Sequence, residues 1–411
     1  GNRIYDANSF YTLLGGAGGG VTENYSLACD IDLAGYTDSA GDPITWQGPS
    51  GYGGHFYGNG YTISGLELNS GDASQAIKKM ALFQSLGDGA VLENFNLEVS
   101  TPNNQPITLD GTIYFGGVLA TVNDPVTITI RKVGVKGELK IAEKKNTYGG
   151  GRAMLIGGFF GEASRFREIH IEECYSAVNI TLSSVTDNSV CVAGGFLARQ
   201  WQGNYDSTQY SPGVFNFVNC YSSGNITGTV SGTASFTAGG FIGDMRCKTG
   251  SGITNVTIDN CYTSGNIQVN APAQNSRIAG FAAYVFNNED MLNVTIKNSA
   301  AINTDISLNP SNDAFAKRFA SHDAPTAEHF AITLQNNIAN NAMLINNAVY
   351  TDDSNDLTGT TVQGKGVPPD GLKVPATWTT AAPGGLGWDP AIWDFDGLSK
   401  SGSAFYWPRL R

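Results

Sequence analysis

The chain has 411 residues, of which only 15% are charged and 41% hydrophobic, and 52 are glycine. Its 36 acidic against 24 basic residues leave a net charge of −12, which argues against a nucleic-acid partner, because phosphate contacts need clustered Lys and Arg. No stretch approaches the roughly 18 apolar residues of a membrane-crossing helix, so no transmembrane segment is expected here.

Residues 1–20 begin with Ile4-Tyr5-Asp6-Ala7-Asn8-Ser9-Phe10-Tyr11-Thr12-Leu13-Leu14. Asp6 or Asn8 is placed to cap a short helix with Phe10, Leu13 and Leu14 on its apolar face. A stacked fold needs atypical ends, so this helix reads as an N-terminal cap. Leu27–Leu33 and Tyr61–Leu68 then read as the first coils.

From 111 to 340 the chain repeats two phrases. Gly157-Gly158-Phe159-Phe160, Gly194-Gly195-Phe196-Leu197 and Gly239-Gly240-Phe241-Ile242 are one. Glu173-Cys174-Tyr175-Ser176, Asn219-Cys220-Tyr221-Ser222 and Asn260-Cys261-Tyr262-Thr263 are the other. The second glycine recurs at Gly117, Gly158, Gly195, Gly240 and Gly280, in steps of 41, 37, 45 and 40. A period of this size predicts a stacked, quasi-one-dimensional fold. Stretches such as Val256-Thr257-Ile258-Asp259 alternate apolar and polar residues, as half-buried strands do. The glycine pairs are expected at bends or close backbone approaches between coils. Reading each repeat as two coils of about 20 residues predicts about 14 coils and a rod of roughly 65 Å. On that register Cys174, Cys220 and Cys261 lie on alternate coils, about 9–10 Å apart and beyond disulfide reach. They are expected to be reduced, buried and packed as small hydrophobes.

The far end changes character near Tyr350. Residues 1–350 read as a capped β-helix, and 351–411 as an irregular C-terminal capping segment. Its aromatic cluster of Trp378, Trp388, Trp393, Phe395, Phe405, Tyr406 and Trp407 is expected to form a hydrophobic plug over the last coil.

Chemistry is sparse. His322, Asp323, Glu328 and His329 lack a recognised metal-ligand spacing, and Asp352, Asp353 and Asp356 lack the glycine and glutamate of a calcium loop. No catalytic residue, cofactor or metal is expected. The Lys-rich stretch from Lys132 to Lys145 reads as a solvated strand edge. The repeat from Gly195 to Cys220 is the longest, with its extra residues between Arg199 and Gly213. Insertions in solenoids map to loops and often to a binding face. Trp201, Tyr205 and Tyr210 in this loop are the candidate ligand contacts, with Arg246 in the equivalent stretch of the next repeat.

The alternating Gly-Gly-Phe-Ile-Gly and Asn-Cys-Tyr-Ser-Ser-Gly-Asn-Ile phrases resemble the GLUG repeat of bacterial surface proteins. Cys29-Asp30-Ile31-Asp32-Leu33, Phe56-Tyr57-Gly58-Asn59-Gly60-Tyr61-Thr62-Ile63 and Ala81-Leu82-Phe83 are similar to the opening of such proteins, with Tyr57 where Asp is usual and Ala81 where Gly is usual. The resemblance implies an all-β, right-handed parallel β-helix on the cell surface or secreted. It implies an adhesin-like protein with an extracellular protein or glycan partner, expected to be monomeric, and supplies no catalytic residues. The export signal or anchor is expected to lie outside this sequence. Two alternatives remain. One is a polysaccharide-active β-helix enzyme, which needs acids such as Asp110, Glu138, Glu173, Asp244 and Asp259 to converge on one groove. The other is an accessory region of a large surface peptidase.

Overall fold

The Gly-Gly pairs stack on one another. Gly157, Gly194 and Gly239 are partners in parallel register, followed by Ala279. In the computed structural model, which describes residues 2–15, 21–69, 76–143, 152–184, 189–202, 212–247, 252–272, 275–286, 292–312, 315–323, 332–351 and 361–411, one 40-residue repeat is therefore one full coil. The expectation of two coils per repeat is corrected. The two phrases are not successive coils but two bends of the same coil, one between the second and third walls and one within the first.

Each coil passes through three walls. Arg152–Gly157 lies in the second wall, Phe160–Ala163 in the third, and Glu168–Glu172 with Tyr175–Ser184 in the first. The result is a parallel β-solenoid of about six turns. Among the described residues the second and third walls are seven strands deep. The first stacks ten, from Asn2–Ile4 to Ile332–Gln335, or roughly 43 Å at the usual strand spacing. The rod is thus shorter and wider than the period alone implied.

The phrases explain the corners. Glu173, Asn219, Asn260, Asn298 and Asn336 have φ of 50–55°, the left-handed region that asparagine tolerates best after glycine. They turn the chain within the first wall. At the other bend the residue after each pair, Val118 in the first of these repeats and phenylalanine in the rest, points into the core. Phe159, Phe196, Phe241, Phe281 and Phe319 form a stacked core ladder with centroids 4.5–5.0 Å apart. Gly158 is tight, not left-handed: a Cβ there would fall 2.2 Å from the Gly195 carbonyl oxygen and 2.2 Å from Ser176 Oγ.

The cysteine argument changes with the register. Cys174, Cys220 and Cys261 sit on adjacent coils, beside Tyr175, Tyr221 and Tyr262, whose rings stack 5.1 and 5.0 Å apart. Separation therefore does not forbid a bridge. All six cysteines are nevertheless free thiols, and these three are fully buried. Each donates to the carbonyl two residues earlier, at 3.2–3.3 Å.

The N-terminal end is covered. Asp6 caps the Ala7–Phe10 helix, accepting the Ser9 N–H at 2.7 Å, and Phe10 packs on Trp46. At the other end Lys365–Val367 adds a strand to Ile338–Asn340. In the aromatic segment beyond it Trp378, Trp388, Trp393 and Phe395 are buried and Phe405, Tyr406 and Trp407 half-buried, but the segment does not plug the last coil. It lies along the side of the first wall, where Trp378, Trp388 and Trp393 pack on Tyr262, Ala300, Ile302 and Ile338. The Lys-rich stretch is corrected too. Thr127–Glu143 is an interior strand, paired to Val91–Ser100 on one side and Tyr175–Ser184 on the other. Lys136 bridges to Glu98 on the first of these at 2.8 Å, and Lys132 to Glu173, in the turn before the second, at 3.6 Å.

Candidate binding corner

The second and third walls meet at an inside corner. Met154 and Ile156 point into the main core, whereas Leu155, between them, joins a separate cluster with Val192 and Ala198 of the third wall. The same alternation places Cys191 and Ala193 inside and Val192 out. The outward faces of the two walls therefore face each other across the glycine bend. Bulk is excluded there: a Cβ on Gly157 would fall 1.9 Å from the Phe160 carbonyl oxygen and 2.9 Å from the Ala198 N.

Above this apolar floor the third wall carries a polar ladder. Glu162, Arg199, Asp244 and Tyr284 are register partners on four successive coils. Trp201, Arg246 and Phe286 form the next row outward. Arg199 binds the Glu162 carboxylate through Nε at 2.8 Å and Nη2 at 2.7 Å. Arg246 binds Asp244 Oδ2 through Nε at 2.7 Å and through Nη2.

The guanidinium groups also lie over aromatic rings. Arg199 is 4.8 Å from the Trp201 centroid, and Arg246 is 5.3 Å from both Trp201 and Tyr284. From the second wall Arg277 lies 4.4 Å over Tyr284 and 4.4 Å over Phe315. Arginine and aromatic thus alternate from Arg199 to Phe315. Such contacts strengthen when desolvated, as they are in this corner.

Burial sets the protonation. It pushes the Glu162 carboxyl up, opposed by Arg199. Burial works against the charge on Arg246 as well, but Asp244 outweighs it and the guanidinium pKa is raised. Asp244 is fully buried, and its Oδ1 has no hydrogen-bond partner among the described residues.

Trp201 lies at this corner, but in the strand Leu197–Gln202 and not in a loop. Its register partner is Arg246, the neighbour expected from the repeat. Tyr205 and Tyr210 lie outside the described residues, as do Glu328, His329 and Asp352, Asp353 and Asp356. The suggested acids do not converge. Glu138, Glu173 and Asp259 belong to the first wall and engage Lys140, Lys132 and Lys297, far from Asp244 in the third. Glu162, Arg199, Arg277 and Tyr284 were missed. Glu162, Arg199, Asp244 and Tyr284 each stand four residues after the second glycine of their repeat, a signal the sequence did carry.

A scan against models of known protein families finds no match, and a search of curated proteins finds none. Among solved structures, the chain is similar over its whole length to the crystal structure of a "putative immunoglobulin A1 protease" from Bacteroides ovatus. The match covers 91% of that chain at 16% identity and a TM-score of 0.50. At that identity the likeness concerns the fold alone.

Proposed function

We propose that this chain is a non-catalytic β-helix region of a secreted or surface protein of the GLUG-repeat kind, which binds an extracellular glycan or protein at the inside corner. The observation that carries this reading is the arginine–aromatic ladder from Arg199 to Phe315. Three arginines are gathered in one recess of a chain with net charge −12, each lying over an aromatic ring. Aromatic and arginine side chains are the types that dominate recognition surfaces. Surface display is supported by the GLUG-like phrases, and the structure similar in fold is described as a "putative immunoglobulin A1 protease".

The test is an array of glycans and matrix proteins probed with the parent and with Trp201→Ala. Specific binding reduced by the substitution is the expected result. Binding that Trp201→Ala leaves untouched moves the site elsewhere, and an array without hits rejects the reading.

The GLUG-like phrases also allow a second reading, an accessory region of a larger surface peptidase. The enzyme alternative is weaker. Glu162 and Asp244 are each held by an arginine, with Arg199 on the strand between them. Release of uronic acid from anionic polysaccharides, abolished by Glu162→Gln, would restore it.

A further inference from the structure

We propose that the inside corner selects an acidic glycan, one bearing uronate carboxylates or sulfate esters, and holds the anionic group on the N–H edges of Arg199 and Arg246. This deepens the binding reading and rests on it.

The argument starts from what each group has left to offer. The Trp201 ring has Arg199 and Arg246 over it, and the Tyr284 ring has Arg246 and Arg277. These aromatics therefore hold guanidinium groups in place more than they offer a bare face to a sugar. Each guanidinium spends Nε and Nη2 on its own acid, at Glu162 or Asp244. Nη1 of Arg199 and of Arg246 is left without a hydrogen-bond partner among the described residues, and neither is a buried orphan. The groups presented are donors, so the ligand must supply acceptors. A planar guanidinium, locked by an acid on one edge and a ring on its face, is pre-organised for a carboxylate or sulfate.

The placement of charge agrees. Among the described residues, Arg199 faces Glu162, Arg246 faces Asp244, and Arg277 lies over Tyr284, so guanidinium groups gather in one recess of a chain with net charge −12. Arg199 and Arg246 lie on adjacent strands, two residues apart in register. A polymer running along the corner meets one guanidinium per coil.

A polyanionic peptide is the competing ligand, and the walls disfavour it. Extended peptides gain affinity by adding to an open sheet edge. Leu197–Gln202 and Ile242–Cys247 are paired on both sides, so the corner offers no free backbone edge. A saccharide needs none.

The experiment is calorimetric titration of the whole chain with polygalacturonate, chondroitin sulfate, dextran and poly-glutamate, at low and raised salt. Arg199→Lys and Arg246→Lys are compared with the parent. Both keep the charge opposite Glu162 or Asp244 and lose the planar second edge, and thermal melts establish that each variant is folded. The expected result is binding of an acidic polysaccharide, weakened by salt, and at least about tenfold weaker in each variant, with dextran not bound. Equal binding of dextran, or binding indifferent to both substitutions, overturns the proposal. So does poly-glutamate bound as tightly as the polysaccharides. If the array finds neutral-glycan or protein ligands sensitive to Trp201→Ala while every acidic polysaccharide fails, the acidic specificity falls and the binding corner stands. If neither experiment finds a ligand, both fall.

Discussion

Trp393 Nε1 donates to Asn219 Oδ1 at 3.2 Å, joining residues 174 positions apart. Asn219 is a left-handed corner residue of a central coil, so the contact ties the C-terminal segment to the side of the solenoid. Trp388 does the same two coils away, donating to the Asn298 carbonyl at 2.8 Å, and the Tyr262 hydroxyl donates to the Pro408 carbonyl at 2.7 Å. Trp393 is fully buried between Tyr221, Tyr262 and Trp388. Trp393→Ala is expected to cost about 3–5 kcal/mol. Urea unfolding checks this, and a loss under about 1 kcal/mol would mean that the segment is not packed as described.

Gly195 tests the coil register. A Cβ there would fall 2.0 Å from the Gly240 carbonyl oxygen and 2.2 Å from Ser222 Oγ, both in the interior. Gly195→Ala is expected to destabilise by about 1–3 kcal/mol or more, because a packed interior cannot move aside cheaply. Gly60 is the comparison: its φ is +81° but nothing lies within 4 Å of an added Cβ. Gly60→Ala is expected to cost about 1–2 kcal/mol through backbone strain alone. A larger loss at Gly60 than at Gly195 would contradict one coil per repeat.

The cysteine ladder gives a chemical readout. Burial raises the thiol pKa of Cys174 and Cys261, and Cys191 follows for the same reason. Only Cys29 is half-exposed. Alkylation of the native chain without reductant is expected to modify Cys29 alone, and unfolding should release the other five. Since adjacent coils bring Cys174 and Cys220 within bridging distance, detection of that disulfide by mass spectrometry would overturn the free-thiol assignment.

Asp394 links stability to acid. It is nearly buried, which raises its pKa, but hydrogen bonds from the Asp396 N–H, the Tyr406 hydroxyl and Arg409 outweigh burial and hold it below 3.8. The unfolded chain then binds more protons in acid than the folded one. This stabilisation is present above the unfolded pKa, near 4, and is lost as pH falls through the folded pKa. Asp394→Asn should lower the melting temperature at neutral pH and flatten its decline in acid. A variant that melts in parallel with the parent at every pH would show that the carboxylate contributes nothing.

Much of this architecture could be read from spacing. Alternation marks strands, because a pleated surface exposes every second residue. Recurrence at about 40 residues marks stacking, because equivalent positions on successive coils meet the same neighbours. The polar cap at Asp6, the buried thiols and the glycine bends follow from local chemistry in the same way. Arg246 beside Trp201 was also legible, since both follow a glycine pair by the same distance.

What spacing along the chain does not contain is the angle turned at each corner. Two phrases per repeat are compatible with two coils or with one, and only the parallel pairing of Gly157 with Gly194 decides for one. That choice moved the cysteines from alternate to adjacent coils and shortened the rod. It also folded the outward faces of the second and third walls toward each other. Arg277 reaches Tyr284 only across that fold, from one wall to the other. By itself the sequence determined the strands, their repeat and the residues that turn the chain. The tertiary structure decided which surfaces are concave, because concavity depends on how the walls are angled and not on which residues build them.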